Sequence, residues 1–203
     1  MLRAPIISLV IALVGLLGIA GMLIYDMRTR DTGGLSEPLA SIGGPFILTG
    51  TDGQPFDIAS LAGKPFVVFF GFTHCPEVCP TTLNDLTLAF NALGEKARDL
   101  RAVFVTVDPE RDRPEVLKEY LSSFDARILA LTGSVDDIAK VAKLYRVYYA
   151  KQPTSDGSYT MDHTSLVYLM NRDGKFVGTL DFHEDEQIRV KKLEKLVQTS
   201  PSS

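Results

Sequence analysis

The longest apolar run lies at the start of the chain. Ile6 to Tyr25, IISLVIALVGLLGIAGMLIY, holds twenty residues without a charge. At about 1.5 Å per helical residue this spans roughly 30 Å, the hydrocarbon thickness of a bilayer. A signal peptide has a shorter apolar core, about 7–15 residues, so the pattern predicts an uncleaved anchor over residues 1–27. Gly18, Ala20 and Gly21 are small and leave cleavage as the alternative. Gly, Ser, Thr and Pro then dominate residues 28–44, which read as a flexible tether. The remainder, 45–203, is long enough to bury its own core.

In that remainder the hydrophobic period switches repeatedly. Phe46–Leu48 and Phe56–Ile58 flank Asp52-Gly53, a hairpin signal. Phe66 to Phe70 is apolar at every position, as in a central strand covered on both faces. Leu83, Leu86, Phe90, Leu93 and Ala97 recur at helical spacing, with Pro80 tolerated in the first turn. Ala102–Val107 and Ile128–Leu131 are further buried-strand candidates. They alternate with a helix opening near Asp112 and Pro114 and another capped by Ser134. Gln152–Tyr159 reads as a polar loop. Ser165–Met170 and Lys175–Leu180 flank Asn171-Arg-Asp-Gly174, a second hairpin, and a charged amphipathic helix over Glu184–Val197 closes the domain. The order predicts an α/β thioredoxin-like fold, a central mixed sheet flanked by helices.

Charge narrows the function. The net charge is −4 over 203 residues, and no Lys/Arg-rich run stands out, which argues against a nucleic-acid binder. Two cysteines are too few for a disulfide scaffold. Both lie in GFTHCPEVCP, Gly71 to Pro80, just past the strand and at the start of the helix. There the unpaired N–H groups favour a thiolate. Cα atoms one helical turn apart lie roughly 6 Å apart, near the upper end of the disulfide range of about 4.4–6.8 Å. A disulfide staple would close a tiny loop and restrict the unfolded chain little. A redox couple and a metal clamp both fit the pair Cys75 and Cys79, and the CxxxC spacing alone leaves them open.

A clamp needs further ligands, and histidine occurs at His74, His163 and His183. His74 neighbours Cys75 and points elsewhere if Cys75 faces a shared ion. His183, in DFHEDE, reads as a surface or capping residue. His163, in TMDHTS, lies where a loop could fold beside the cysteines, with Asp162 and Thr164 as orienting partners. Two thiolates and one imidazole suit Cu(I), with an open-sided zinc site as competitor.

GFTHCPEVCP, TVDPERDRP and YTMDHTSLVYL, in that order after one apolar segment, resemble the SCO/SenC family over about Pro45 to Val197. Glu77 stands where many members have Asp, and Thr164 where Ser is frequent. The resemblance implies a thioredoxin-like domain that binds copper, as Cu(I) or Cu(II), through Cys75, Cys79 and His163. It implies a metallochaperone that assists assembly of the dinuclear copper site of cytochrome c oxidase subunit II, with other copper chaperones or thiol–disulfide oxidoreductases as further partners. A thiol reductase acting on apo-oxidase cysteines is the alternative implied by the same family. A peroxiredoxin-like reading is weaker, because Phe72 stands where that pattern has Thr. The absence of an Arg/Ser-rich transit peptide favours a single-pass bacterial inner-membrane protein facing the periplasm. The role of Asp108 to Asp112 stays open between a turn with a helix cap and a partner contact.

Overall fold

A computed structural model describes Gly18, Gly21, Met22, residues 42–181 and residues 183–198. The expected anchor lies outside the described residues apart from helical Gly18, Gly21 and Met22. Among the described residues, no helix is long and apolar enough to cross a membrane.

The unit from residue 41 onward is built around β3, Phe66–Gly71, all six residues of which are buried. Continuous burial is what its unbroken apolar pattern requires, since both faces must be covered. It pairs in parallel with β4, Arg101–Thr106, which pairs in parallel with β5, Ile128–Thr132. The first hairpin forms as expected: β1, Ile47–Gly50, and β2, Pro55–Asp57, turn through Gly53 at φ 76°. That positive φ explains the glycine. β1 then pairs antiparallel with β5. On the other side β3 pairs antiparallel with β8, Val167–Met170, which pairs with β9, Phe176–Leu180. The seven-stranded mixed sheet has the order β2-β1-β5-β4-β3-β8-β9.

Four helices accompany the sheet: α1, Val78–Leu93; α2, Pro114–Leu121; α3, Val135–Leu144; and α4, Glu186–Gln198. α1 buries Leu83, Leu86, Phe90 and Leu93, the predicted stripe, and Ala97 lies buried in the 3-10 turn that follows. The Ser134 side chain accepts the Asp137 N–H at the start of α3, as its cap chemistry predicts. Two expectations need correction. Asp112 does not cap α2: Arg113 holds the cap position without a side-chain bond, and the Asp112 carboxylate is buried elsewhere. The polar loop predicted over Gln152–Tyr159 is borne out at 154–158, but its ends belong to two unexpected strands, β6, Tyr149–Pro153, and β7, Tyr159–His163, which that loop joins into a hairpin. Its strands pair only with each other, forming a separate two-stranded sheet.

Candidate metal centre

The cysteines sit where β3 gives way to α1. Cys79 is the second residue of α1 and is 0% exposed, whereas Cys75, in the preceding loop, is half-buried. The N-cap residue Glu77 supplies no side-chain acceptor. That service falls to sulfur: the Cys79 N–H donates to Cys75 Sγ at 3.4 Å. An anion at this place is stabilised by the helix N-terminus. Cys75 is accordingly drawn from 9.0 down to about 4, chiefly by the hydrogen bond from the Cys79 thiol, with backbone N–H groups of Cys79 and Glu77 assisting and burial opposing. Cys79 is pushed up, first by its bond to Cys75 and then by burial. The pair therefore holds one negative charge, carried at Cys75, with the remaining proton on Cys79.

Close packing fixes Cys79 from the other side. A Cβ on Gly71 would lie 2.7 Å from Cys79 Sγ and 2.7 Å from Phe104 Cε2. Only glycine fits at the end of β3.

His163 arrives from β7, the strand of the separate hairpin. Its Nε2 lies 3.7 Å from Cys79 Sγ. Its Nδ1 lies 3.0 Å from the Thr164 carbonyl. A carbonyl only accepts, so Nδ1 donates to it, which leaves Nε2 as the ring nitrogen that faces the sulfurs. The rings of Phe72 and Phe69 stand edge-on to the imidazole, with centroids at 5.7 and 6.4 Å. They hold its plane and shield it from water. The expected orienting role of the Asp162 and Thr164 side chains falls instead to the Thr164 backbone; Asp162 is exposed on β7, and the Thr164 hydroxyl accepts the Tyr148 N–H.

The ligand atoms of Cys75, Cys79 and His163 all lie within 4.8 Å of one another, and this is the one such His/Cys/Asp/Glu group found among the described residues. The other histidines stay apart from it. His74 is exposed, with Nδ1 3.1 Å from the Thr73 hydroxyl. His183 is an exposed residue whose N–H donates to Asp181. Two sulfurs and one imidazole nitrogen converging from two directions form a soft, three-donor set. The SCO1/SenC family model matches residues 36–198.

The chain belongs to the SCO1/SenC family. Over 163 residues it is 39% identical to Protein SCO2, mitochondrial, of Saccharomyces cerevisiae, covering 78% of this chain and 54% of that protein. It thus spans about half of that relative's length. It is similar to the solved structure of Bradyrhizobium japonicum ScoI with copper bound, at 48% identity and TM-score 0.71, covering 77% of this chain and 99% of that one. It is also similar to BsSco, a member of the Sco family of cytochrome c oxidase assembly proteins with an identified disulfide switch. There the identity is 25% and the TM-score 0.62, over 81% of this chain and 98% of that one. The mixed α/β architecture is therefore that of Sco structures.

Sequence reasoning named all three converging residues. It missed the groups that hold them: Gly71, Phe69 and Phe72, and, further out, Thr73 and Tyr159. The apolar run over β3 announces Phe69 only as core. Nothing in the sequence sets Tyr159 apart from other loop tyrosines.

Proposed function

We propose that the chain is a copper metallochaperone, with Cys75, Cys79 and His163 as the donors. Copper is its cargo. The observation that carries this reading is the convergence of two sulfurs and one imidazole nitrogen within 4.8 Å. Thiol exchange can run without that imidazole, whereas copper ligation takes it as a third donor. A three-donor site with one half-exposed sulfur suits handover by ligand exchange, because an acceptor's thiolate can approach from the Cys75 side. The recipient in this reading is the dinuclear copper site of cytochrome c oxidase subunit II. Residues 1–27 anchor the chain in the bacterial inner membrane, and the residues that follow, up to Ile42 where the chain is docked on the domain, tether a periplasmic domain within reach of an oxidase subunit.

The test is to titrate the full chain with Cu(II) and, under a reductant, Cu(I). The expected result is a one-to-one complex with a Cu(II)–thiolate absorption band, weakened or altered in His163→Ala and lost in Cys75→Ser and Cys79→Ser. Identical affinity and spectra in His163→Ala would remove His163 from the donor set.

The arrangement of the sulfurs favours a second use. A half-exposed Cys75 thiolate with a buried thiol behind it is an attacking and resolving pair. Cys75 would attack a partner's disulfide and release one partner thiolate; Cys79, passing its proton to that thiolate, would then displace the second partner sulfur from the mixed disulfide, which takes its proton from water. The partner leaves as a dithiol and Cys75–Cys79 is oxidised. Reduction of protein disulfides by a wild-type chain that holds no copper against a moderate chelator would put this reading first.

A further inference from the structure

The segment Asp108 to Asp112 contains two acids that are almost wholly removed from solvent, Asp108 at 1% and Asp112 at 0% exposure. A turn does not need buried carboxylates. Asp and Asn serve turns from the surface, and burying an ionised carboxylate is costly unless hydrogen bonds and charges compensate it. Neither acid caps α2. Their partners lie elsewhere.

Asp112 binds the cysteine loop. Its Oδ2 accepts the Thr73 N–H at 3.0 Å and its Oδ1 accepts the Thr73 hydroxyl at 2.6 Å. Oδ2 also accepts the Thr106 hydroxyl, at 2.6 Å, from the end of β4. Thr73 stands two positions before Cys75. Its hydroxyl proton is given to Asp112, so it accepts from His74 Nδ1, which turns that imidazole away from the sulfurs.

Asp108 binds the hairpin. Its Oδ1 accepts the Tyr159 hydroxyl at 2.9 Å, and its Oδ2 accepts from Arg111 Nε. Arg111 then donates through Nη1 to the Tyr159 carbonyl at 3.0 Å and lies over the Tyr159 ring at 3.8 Å. Glu110, between them, pairs with Lys151 of β6 at the surface. Tyr159 is the first residue of β7 and His163 the last, about 13 Å away along a strand. The β6–β7 hairpin makes no ladder with the main sheet. Its placement against the cysteine loop therefore depends on side-chain contacts, these polar ones together with Met161 of β7 buried in the core.

We infer that the Asp108–Asp112 turn is a brace joining the two halves of the site, with Asp112 positioning the loop that presents Cys75, and Tyr159 positioning the strand that presents His163. Asp112 and Tyr159 are positioning residues that touch none of the three donor atoms. The inference deepens the copper reading above and rests on it for its consequence in metal binding.

Two variants of the full chain test it. Tyr159→Phe removes the hydroxyl held by Asp108 and keeps the ring under Arg111. Asp112→Asn keeps the side chain's size and turns an amide toward groups that donate. Titration with Cu(II) alone is expected to show affinity lower by about tenfold in each, the usual effect of removing a partner that orients a ligand. The Cu(II)–thiolate band is expected to shift. With copper-free protein carrying 15N-histidine, the His163 ring resonances are expected to move in Tyr159→Phe. Urea unfolding separates these effects from loss of stability. Lower unfolding midpoints with copper affinity, absorption band and His163 resonances all as in wild type would overturn the brace. Should Asp112→Asn fail to fold, Tyr159→Phe decides alone. Should wild type take up no copper, the copper reading falls, and the His163 resonances of the copper-free variants still decide the brace.

Discussion

Cys75 and Cys79 share one side chain and occupy two solvents. Cys75 lies at the mouth of a helix, where N–H groups and a neighbouring thiol donate to it; Cys79 lies behind it in the core. An ordinary cysteine with a pKa of about 8.5 loses nucleophilicity tenfold per pH unit on acidification. Cys75, drawn down to about 4, remains thiolate across that range. Its alkylation by iodoacetamide is expected to hold its pH 8 rate down to about pH 5 and to fall only below that, while Cys79 resists modification until the protein is unfolded. Mass spectrometry of quenched time points checks both. The identity of the two thiols and of His163 was legible from residue type and order. Their unequal character was not, because it comes from burial and from hydrogen bonds that close across the fold. The same holds for Asp112. Its position before Pro114 suggested a helix cap, yet the Thr73 and Thr106 donors, distant or near in sequence, claim the carboxylate first.

The elements that were legible are those whose burial follows a period. β3 announces itself by an unbroken apolar run and α1 by its three-and-four spacing. β6 and β7 escaped because β6 is exposed over its last three residues and contains Pro153. The hairpin is held by its own ladder, by the Asp108–Asp112 turn and by Met161 in the core with Tyr149 and Tyr159 packed against it, and one buried residue leaves no period to read. Packing at the end of β3 makes a sharper demand. In Gly71→Ala the new methyl group would meet Cys79 Sγ and Phe104 at 2.7 Å, so one of them must move. Overpacking of this kind costs about 1–3 kcal/mol. The expected outcome is a lower urea midpoint together with weakened copper binding. At α3, Ser134→Ala removes the acceptor of the Asp137 N–H and is expected to cost about 1 kcal/mol. Copper titration of that variant is expected to match wild type, which makes it a control for stability loss without damage to the site.

Across the molecule, one ion pair ties the turn before β5 to α1. The Asp125 carboxylate accepts from Arg127 Nε at 2.8 Å and Nη2 at 2.6 Å. The Asp125 N–H donates to Thr87 of α1 at 3.1 Å, and the guanidinium lies over Phe90 at 4.9 Å. The Arg127 fork holds the Asp125 carboxyl below its ordinary 3.8. A carboxyl depressed on folding contributes stability above its unfolded value and loses it as pH falls through the folded one. Asp125→Asn is therefore expected to lower stability at pH 7, by about 1 kcal/mol for a partly exposed fork. The difference from wild type is expected to shrink below about pH 4 as the native carboxyl takes its proton. Urea unfolding at pH 7 and pH 3 measures both. The fold class was readable from the alternation of strands and helices, whereas the antiparallel join of β1 to β5 was not, since strand order leaves no mark on local pattern.

Cys79 and His163 stand 84 positions apart. A chain that has not yet folded can offer a metal its two sulfurs and the adjacent His74 imidazole, which the folded loop holds on the Thr73 hydroxyl, whereas His163 joins the sulfurs only once β7 has docked. Under the proposed reading, folding changes which donors the cargo meets, from neighbours in sequence to neighbours in space.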